Sequence, residues 1–140
     1  MVEIDTPGHT AVIGEAYPDF VACNEKRPWA SNANEPPAGQ LRFTNSSIAS
    51  WTAGIFTALA DLFPSNVIST GGDEINVACY DADEETQLDL NTTGLSFNDA
   101  LASFTNLTHG AIEATGKTPV VWEEQVLDYN LTLSDDTYVL

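Results

Sequence analysis

Short apolar runs that end in polar clusters, separated by segments of helical periodicity, constrain this chain more than any other feature. Val2–Ile4 runs into Asp5-Thr6-Pro7-Gly8-His9, a turn built from Pro and Gly. Asn66–Thr70, with Val67 and Ile68 at its centre, ends in Gly71-Gly72-Asp73-Glu74. Thr118–Trp122 leads into Glu123-Glu124, and Tyr138–Leu140 reads as the start of a further strand. The clearest helix is Ser46–Phe63. Ile48, Trp51, Ile55, Leu59 and Leu62 recur at three- and four-residue steps as one apolar stripe, Ser46 or Ser47 can cap the first turn, and Pro64 stops it. A second helix is expected over Asn98–Ala114, with Leu101, Phe104 and Leu107 inward and Gly116 as its stop. Thr10–Tyr17 is expected to begin a helix ended by Pro18. Asn24–Asn45 has no period and reads as a long loop, and a polar stretch follows Glu74.

Strands alternating with helices pair in parallel through right-handed crossovers. The fold class is therefore α/β, either a (β/α)8 barrel or an open sheet, and periodicity does not choose between them. In both, the clusters at Asp5–His9, Asp73-Glu74 and Trp122–Glu124 follow apolar strands and gather at one face.

Charge narrows the partners. With 21 Asp+Glu against 4 Lys+Arg the formal net charge is -17, and four scattered cations cannot neutralise a polyanion. Nucleic acid and anionic membrane surfaces are excluded on that ground. A hydrophobic share of 43% is ample for a core, and no run reaches the roughly 18 apolar residues of a membrane span. Met1–Asp5 has no signal-peptide character. Yet the chain's 10 Asn and 24 Ser plus Thr would form fewer than two Asn-X-Ser/Thr sequons by chance, and four are present, at Asn45, Asn91, Asn106 and Asn130. These are expected glycosylation sites, and the secretory route is the expected setting. Secretory character without a leader implies that an N-terminal part is missing. Cys23 and Cys79 are either two buried thiols or a bridge; a bridge closes a loop of about 57 residues, worth roughly 4 kcal/mol in chain entropy.

The chemistry-bearing residues lie at the strand ends. Two glycines before Asp73-Glu74 allow a sharp turn and a close approach by ligand. Adjacent carboxylates repel, which raises the pKa of one of them. A neutral acid beside an ionised neighbour is what acid-catalysed departure of an alcohol requires. In so acidic a chain the same pair also fits a solvated turn. His9 beside Pro7-Gly8 is equally a local hydrogen-bonding residue, and Trp122 equally a core residue. A metal site from Asp5, His9, Asp73 and Glu74 lacks a His pair at helical ligand spacing, so no metal is expected.

Asp5-Thr6-Pro7-Gly8-His9-Thr10, Gly71-Gly72-Asp73-Glu74 and Val120-Val121-Trp122-Glu123-Glu124 resemble, in order and spacing, the landmarks of the family-20 glycoside hydrolases, the β-N-acetylhexosaminidases. Glu35-Pro36-Pro37-Ala38-Gly39-Gln40-Leu41 resembles a loop of fungal and insect members. The resemblance spans essentially all 140 residues. It implies a (β/α)8 barrel and retaining hydrolysis of terminal N-acetylglucosamine or N-acetylgalactosamine, assisted by the substrate's own acetamido group. It also implies roles. Glu74 is the general acid and then base. Asp73 orients the acetamido group. Trp122 is a pocket wall. Asp5, His9 and Glu124 stand behind them, with His9 tuning Glu74. Cys23 and Cys79 fall where relatives carry a disulfide, whereas His109 matches no functional position and is expected to be structural. No cofactor is implied. The expected partners are N-acetylhexosamine-terminated oligosaccharides, chitin-derived ones by the fungal-like loop. The expected compartment is secreted or vacuolar/lysosomal, and a homodimer is one assembly open to the full-length enzyme. A barrel of this kind needs about 250 residues. The chain is therefore expected to be its central part, incomplete at both ends, with the sugar-binding Arg upstream and further pocket residues downstream. Alone it is expected neither to close a barrel nor to turn over substrate well. The competing reading is a carbohydrate-binding module or degenerate remnant without chemistry.

Overall fold

A computed structural model describes all 140 residues. Four strands, β1 (Val2–Glu3), β4 (Val67–Ser69), β5 (Thr118–Val121) and β6 (Tyr138–Val139), form one parallel sheet in the order β1-β4-β5-β6. The register aligns Val2 with Ile68, Ile68 with Pro119 and Val120 with Tyr138. Strand, helix, strand, helix, strand is the order expected of parallel pairing. The sheet is an open arc here, with β1 and β6 each paired on one side only.

Helices α2 (Ser46–Leu62) and α5 (Phe97–Glu113) pack on each other and on the sheet, where Phe56, Ala60, Ile68 and Ile112 form a small buried cluster. Capping sets their starts. Asn45, not Ser46 or Ser47, caps α2: its Oδ1 accepts from the Ser47 and Ile48 N–H groups at 3.0 and 3.3 Å. Ser96 and Asp99 form a reciprocal capping box at the start of α5, and Gly116 ends the turn after it at φ +78°.

The stripe assigned to α2 is corrected. Its buried face is Ile48, Ala49, Thr52, Ala53, Phe56 and Ala60; Trp51, Ile55 and Leu59 are half-buried, and Leu62 is 75% exposed. Small residues let α5 approach, so the bulky stripe is turned aside. Trp51 packs edge-on to Tyr17 and Phe20 instead, at 5.5 and 5.2 Å. On α5, Leu101 and Phe104 face inward as expected, but Leu107 lies outside, and Thr105, Thr108, His109 and Ile112 take the inner face.

The connections hold more structure than their composition shows. The expected Thr10–Tyr17 helix is one turn, α1 (Ala11–Gly14); beyond it Pro18–Phe20 is a 3-10 turn. A Cβ on Gly14 would meet the Asn24 side chain at 2.4–2.5 Å, so Asn24 occupies the space that a larger residue at position 14 would need. The Asn24–Asn45 loop is corrected as well. It contains a 3-10 turn at Trp29–Ser31 and the strand β3 (Gln40–Leu41), which pairs antiparallel with β2 (Val21–Ala22). The polar stretch after Glu74 carries α3 (Val77–Asp81) and α4 (Glu84–Thr93), capped by Asn76 and Asp83. Asp83 also takes a two-pronged contact from Arg42 Nε and Nη2, at 2.9 and 2.8 Å. That contact holds its carboxyl below the ordinary carboxylate range, against the opposing push of burial.

The larger core therefore lies beyond the strand ends. Leu41, Phe43, Ile75, Tyr80, Leu101 and Phe104 are among its twelve buried residues. Phe43 meets Tyr80 and Phe97 edge to face at 5.1 and 5.3 Å, and the Tyr80 hydroxyl donates to Leu41 O at 2.6 Å. Cys23 and Cys79 are joined in a disulfide, Cα atoms 6.1 Å apart, which ties the β2 end to α3. No helix is long and apolar enough to cross a membrane.

Candidate active site

Parallel pairing continues past the strands. Thr6 N–H donates to Thr70 O at 2.9 Å and Trp122 N–H to Gly71 O at 3.0 Å. The polar residues after β1, β4 and β5 are thereby delivered to one rim. Gly71 and Gly72 turn there with φ of +69° and +103°. Only glycine adopts both without strain, and a Cβ on Gly71 would overlap the Asp5 carboxylate. That closeness has a use: Gly72 N–H donates to Asp5 Oδ1 at 2.7 Å.

His9 Nε2 stands 3.4 Å from Glu74 Oε2 and 3.7 Å from Asp5 Oδ2. One imidazole thus faces two carboxyls on neighbouring strand ends. Both His9 and Glu74 hold left-handed backbone, φ +52° and +51°, a conformation unfavourable to side chains and concentrated at functional turns. The Glu74 side chain remains 38% exposed, open to a substrate. Burial pushes the Asp5 carboxyl up to about 8; the charge and hydrogen bonding of Asp73 and the charge of Glu3 add to the rise, while the Gly72 N–H opposes it. Asp73 Oδ1 is buried and has no hydrogen-bond partner. A buried carboxylate oxygen without a donor is costly; within the chain, the protonated Asp5 carboxyl is the group that hydrogen-bonds the Asp73 carboxylate.

Asp5, His9 and Asp73 offer ligand atoms within 4.8 Å of one another, a spacing three cation ligands can have. The same closeness suits proton sharing between the carboxyls, since the Asp5 carboxyl keeps its proton up to about 8.

The structure thus brings Asp5, His9, Asp73 and Glu74 together. Trp122, half-buried, joins them through its main-chain bond to Gly71. Glu124 opens the short helix α6 (Glu124–Leu127) and stands near Tyr129, whose phenol is pushed up by burial first and then by Asp128 and Glu124. Its carboxylate forms no ion pair or hydrogen bond with the cluster. His109 is buried against Thr70, Nε2 to Oγ1 3.0 Å, as a structural residue behind the Gly-Gly turn. Among the sequons, Asn91, Asn106 and Asn130 are exposed, whereas Asn45 Oδ1 is engaged as a cap.

Three polar side chains that sequence reasoning passed over brace the turn. Gln125 Nε2 donates to Gly72 O. Tyr129 Oη donates to Ile75 O at 3.3 Å. Gln40 exchanges two bonds with the Asn76 main chain, Nε2 to O at 2.9 Å and N–H to Oε1 at 2.8 Å. Gln40 closes the Glu35–Leu41 loop, which lines a narrow cleft with His9 and Glu74. The position of Gln40 in that quoted loop was a signal for it; Gln125 and Tyr129 follow the Trp122 landmark with no local pattern to mark them.

Known proteins resemble this chain over nearly all of its length. The family model for "Glycosyl hydrolase family 20, catalytic domain" matches residues 1–140. A beta-hexosaminidase of Arthroderma benhamiae is 37% identical over 143 residues, covering 94% of this chain and 22% of the relative. Beta-hexosaminidase subunit A1 of Dictyostelium discoideum is 32% identical over 138 residues, covering 98% of this chain and 25% of the relative. The chain thus spans about a quarter of the length of these curated relatives. Among solved structures, a chitobiase of Flavobacterium johnsoniae superposes with a TM-score of 0.73 at 26% identity, covering 99% of this chain and 21% of that one. The family model, these relatives and the partial parallel sheet agree, and the chain belongs to glycosyl hydrolase family 20, within its catalytic domain.

Proposed function

We propose that this chain supplies the acid–base centre of an enzyme that removes terminal, non-reducing N-acetylhexosamine residues from oligosaccharides. The configuration is retained, and the substrate's acetamido group serves as nucleophile. The 140 residues are the central part of a barrel whose remainder carries the other sugar contacts. The observation that carries the reading is the buried, unpartnered Asp73 Oδ1 beside the exposed Glu74. An acetamido N–H is a donor that Asp73 Oδ1 can accept from. With that bond made, the acetamido carbonyl oxygen is aimed at the anomeric carbon, and the positive charge growing on the amide meets a carboxylate. Glu74 passes its proton to the glycosidic oxygen as the C–O bond breaks and the acetamido oxygen closes an oxazolinium ring. The aglycone leaves as an alcohol. The Glu74 carboxylate then takes a proton from water, whose oxygen attacks the same carbon and reopens the ring. His9 links Glu74 to Asp5, so the charge on one carboxyl bears on the other. Trp122 supplies an apolar wall for the acetamido methyl, and Glu124 supports that wall from α6. Chitin-derived oligosaccharides are the favoured substrates, supported by the Glu35–Leu41 loop at the cleft and by the chitobiase likeness. The disulfide and the four sequons support a secreted or vacuolar/lysosomal setting with glycosylation at the exposed acceptors.

The test is leaving-group dependence in the intact protein. Glu74→Gln is expected to lower kcat about 10²–10⁴-fold on alkyl or sugar aglycones and far less on activated aryl ones. Fluorinating the acetamido methyl, which weakens the attacking oxygen, is expected to slow turnover steeply. Equal loss on all leaving groups, or indifference to fluorination, overturns the mechanism.

A further inference from the structure

We propose that Gln125 is a positioning residue for Asp73, acting through the Gly72–Asp73 peptide. The inference rests on the acetamido-orienting role proposed for Asp73. Gln125 is 1% exposed and sits in α6, beyond the end of β5. Its Nε2 donates to Gly72 O, and its Oε1 accepts from Thr105 Oγ1 of α5 at 3.5 Å. On the other side of the same residue, Gly72 N–H donates to Asp5 Oδ1 at 2.7 Å. Residue 72 is therefore gripped at both its peptide groups, from β1 on one side and from the β5 end on the other.

That grip matters because of where it falls. The Gly72 carbonyl and the Asp73 N–H share one rigid peptide plane. Holding the carbonyl fixes the plane on which the Asp73 Cα is built. Gly72 itself, at φ +103°, has the widest choice of backbone conformations of any residue type, and sheet pairing has ended by that point. The Asp73 side chain has few anchors of its own: its Oδ1 accepts from no N–H group, and its hydrogen bond to Asp5 depends on the Asp5 proton. A Cβ on Gly72 would meet Gln125 Cγ at 2.9 Å, so the glutamine fills the space that the glycine leaves. The site also selects the residue type. One end of the side chain must donate to a carbonyl and the other must accept from a hydroxyl, and a buried amide does both without charge. The Asp73 side of the pocket is thereby coupled to the segment that carries Trp122.

A double-mutant cycle in the intact protein tests this. Gln125→Leu keeps the volume and removes the donor. It is expected to lower kcat on an N-acetylglucosaminide about 10–100-fold, with a smaller change in KM. In an Asp73→Ala background the same change is expected to cost less than about twofold, because the positioned group is already gone. Gln125→Glu donates only while its carboxyl is protonated. Its kcat relative to the parent is expected to rise as pH falls, which also covers the case in which Gln125→Leu fails to fold. Equal losses in both backgrounds, no loss in either, or a pH-independent Gln125→Glu ratio overturns the proposal while leaving the Asp73 role intact. A parent enzyme indifferent to Asp73→Ala overturns that role itself.

Discussion

Asp5 and His109 are both buried titratable groups, and burial acts on them in opposite directions. Asp5 carries its proton up to about 8 in the folded chain, against an ordinary 3.8. Its contribution to stability is therefore fully present below 3.8 and is lost as pH rises through about 8. His109 is kept neutral down to about 4, against an ordinary 6.5, because burial disfavours the imidazolium. The unfolded chain takes up that proton first, so stability is lost as pH falls from 6.5 to about 4, by about 3 kcal/mol for the full shift. Between these values the two slopes oppose one another, and above 6.5 only the Asp5 slope remains. Relative to the parent, His109→Gln is expected to gain Tm as pH is lowered from 6.5 to 4, and Asp5→Asn to flatten the loss of Tm between 6.5 and 8. Thermal unfolding scans across that range check both. The motif words made Asp5, His9, Asp73 and Glu74 legible from the sequence. The rise in pKa at Asp5 was not legible, because it comes from burial beside Asp73, a residue 68 positions away in the chain.

At the scale of elements, the two long helices were found to within a residue or two, because their periodicity and breakers are local signals. The faces they bury were read correctly at Ile48, Leu101 and Phe104 and wrongly at the far end of each stripe. Leu62 and Leu107 belong to well-formed apolar patterns and are exposed, while Thr52 of α2 and Thr105 and Thr108 of α5 are buried. Helix periodicity reports a stripe, but the rotation of the helix follows from which small residues allow the partner to come close. Capping at Asn45 shows two uses of one residue, as an acceptor for helix N–H groups and as the first position of a sequon. The variants Asn45→Asp and Asn45→Ala separate them. Asp is expected to keep the cap and its stability, and Ala to lose about 1 kcal/mol; both remove any glycan. Chemical denaturation of the two variants reads the difference, and equal stabilities would show that the cap contributes nothing.

At the scale of the whole molecule, an open sheet decides the behaviour of these residues in isolation. The outer edges of β1 and β6 have no strand partner, and Val12, Leu62 and Leu127 are 76%, 75% and 68% exposed. Unpaired strand edges and uncovered apolar side chains favour association. Purified residues 1–140 are expected to self-associate and to show no measurable hydrolysis of an aryl N-acetylglucosaminide, whereas the same residues within an intact barrel are expected to support it. Light scattering and a chromogenic assay on the purified chain check both halves of that expectation.

The sequence by itself determined the α/β class, the parallel order, the family and the residues at the strand ends, because strand period, helix breakers and motif spacing are all written locally along the chain. The tertiary structure alone decided which side chains hold the Gly71–Asn76 turn. Gln40, Gln125 and Tyr129 reach it from segments 36, 53 and 54 residues away, and each bonds to main chain rather than to a motif side chain. A contact with a backbone carbonyl leaves no requirement on the sequence of the residue that owns it, so only Gln40, inside the Glu35–Leu41 loop, carried a signal in the chain, and Gln125 and Tyr129 carried none.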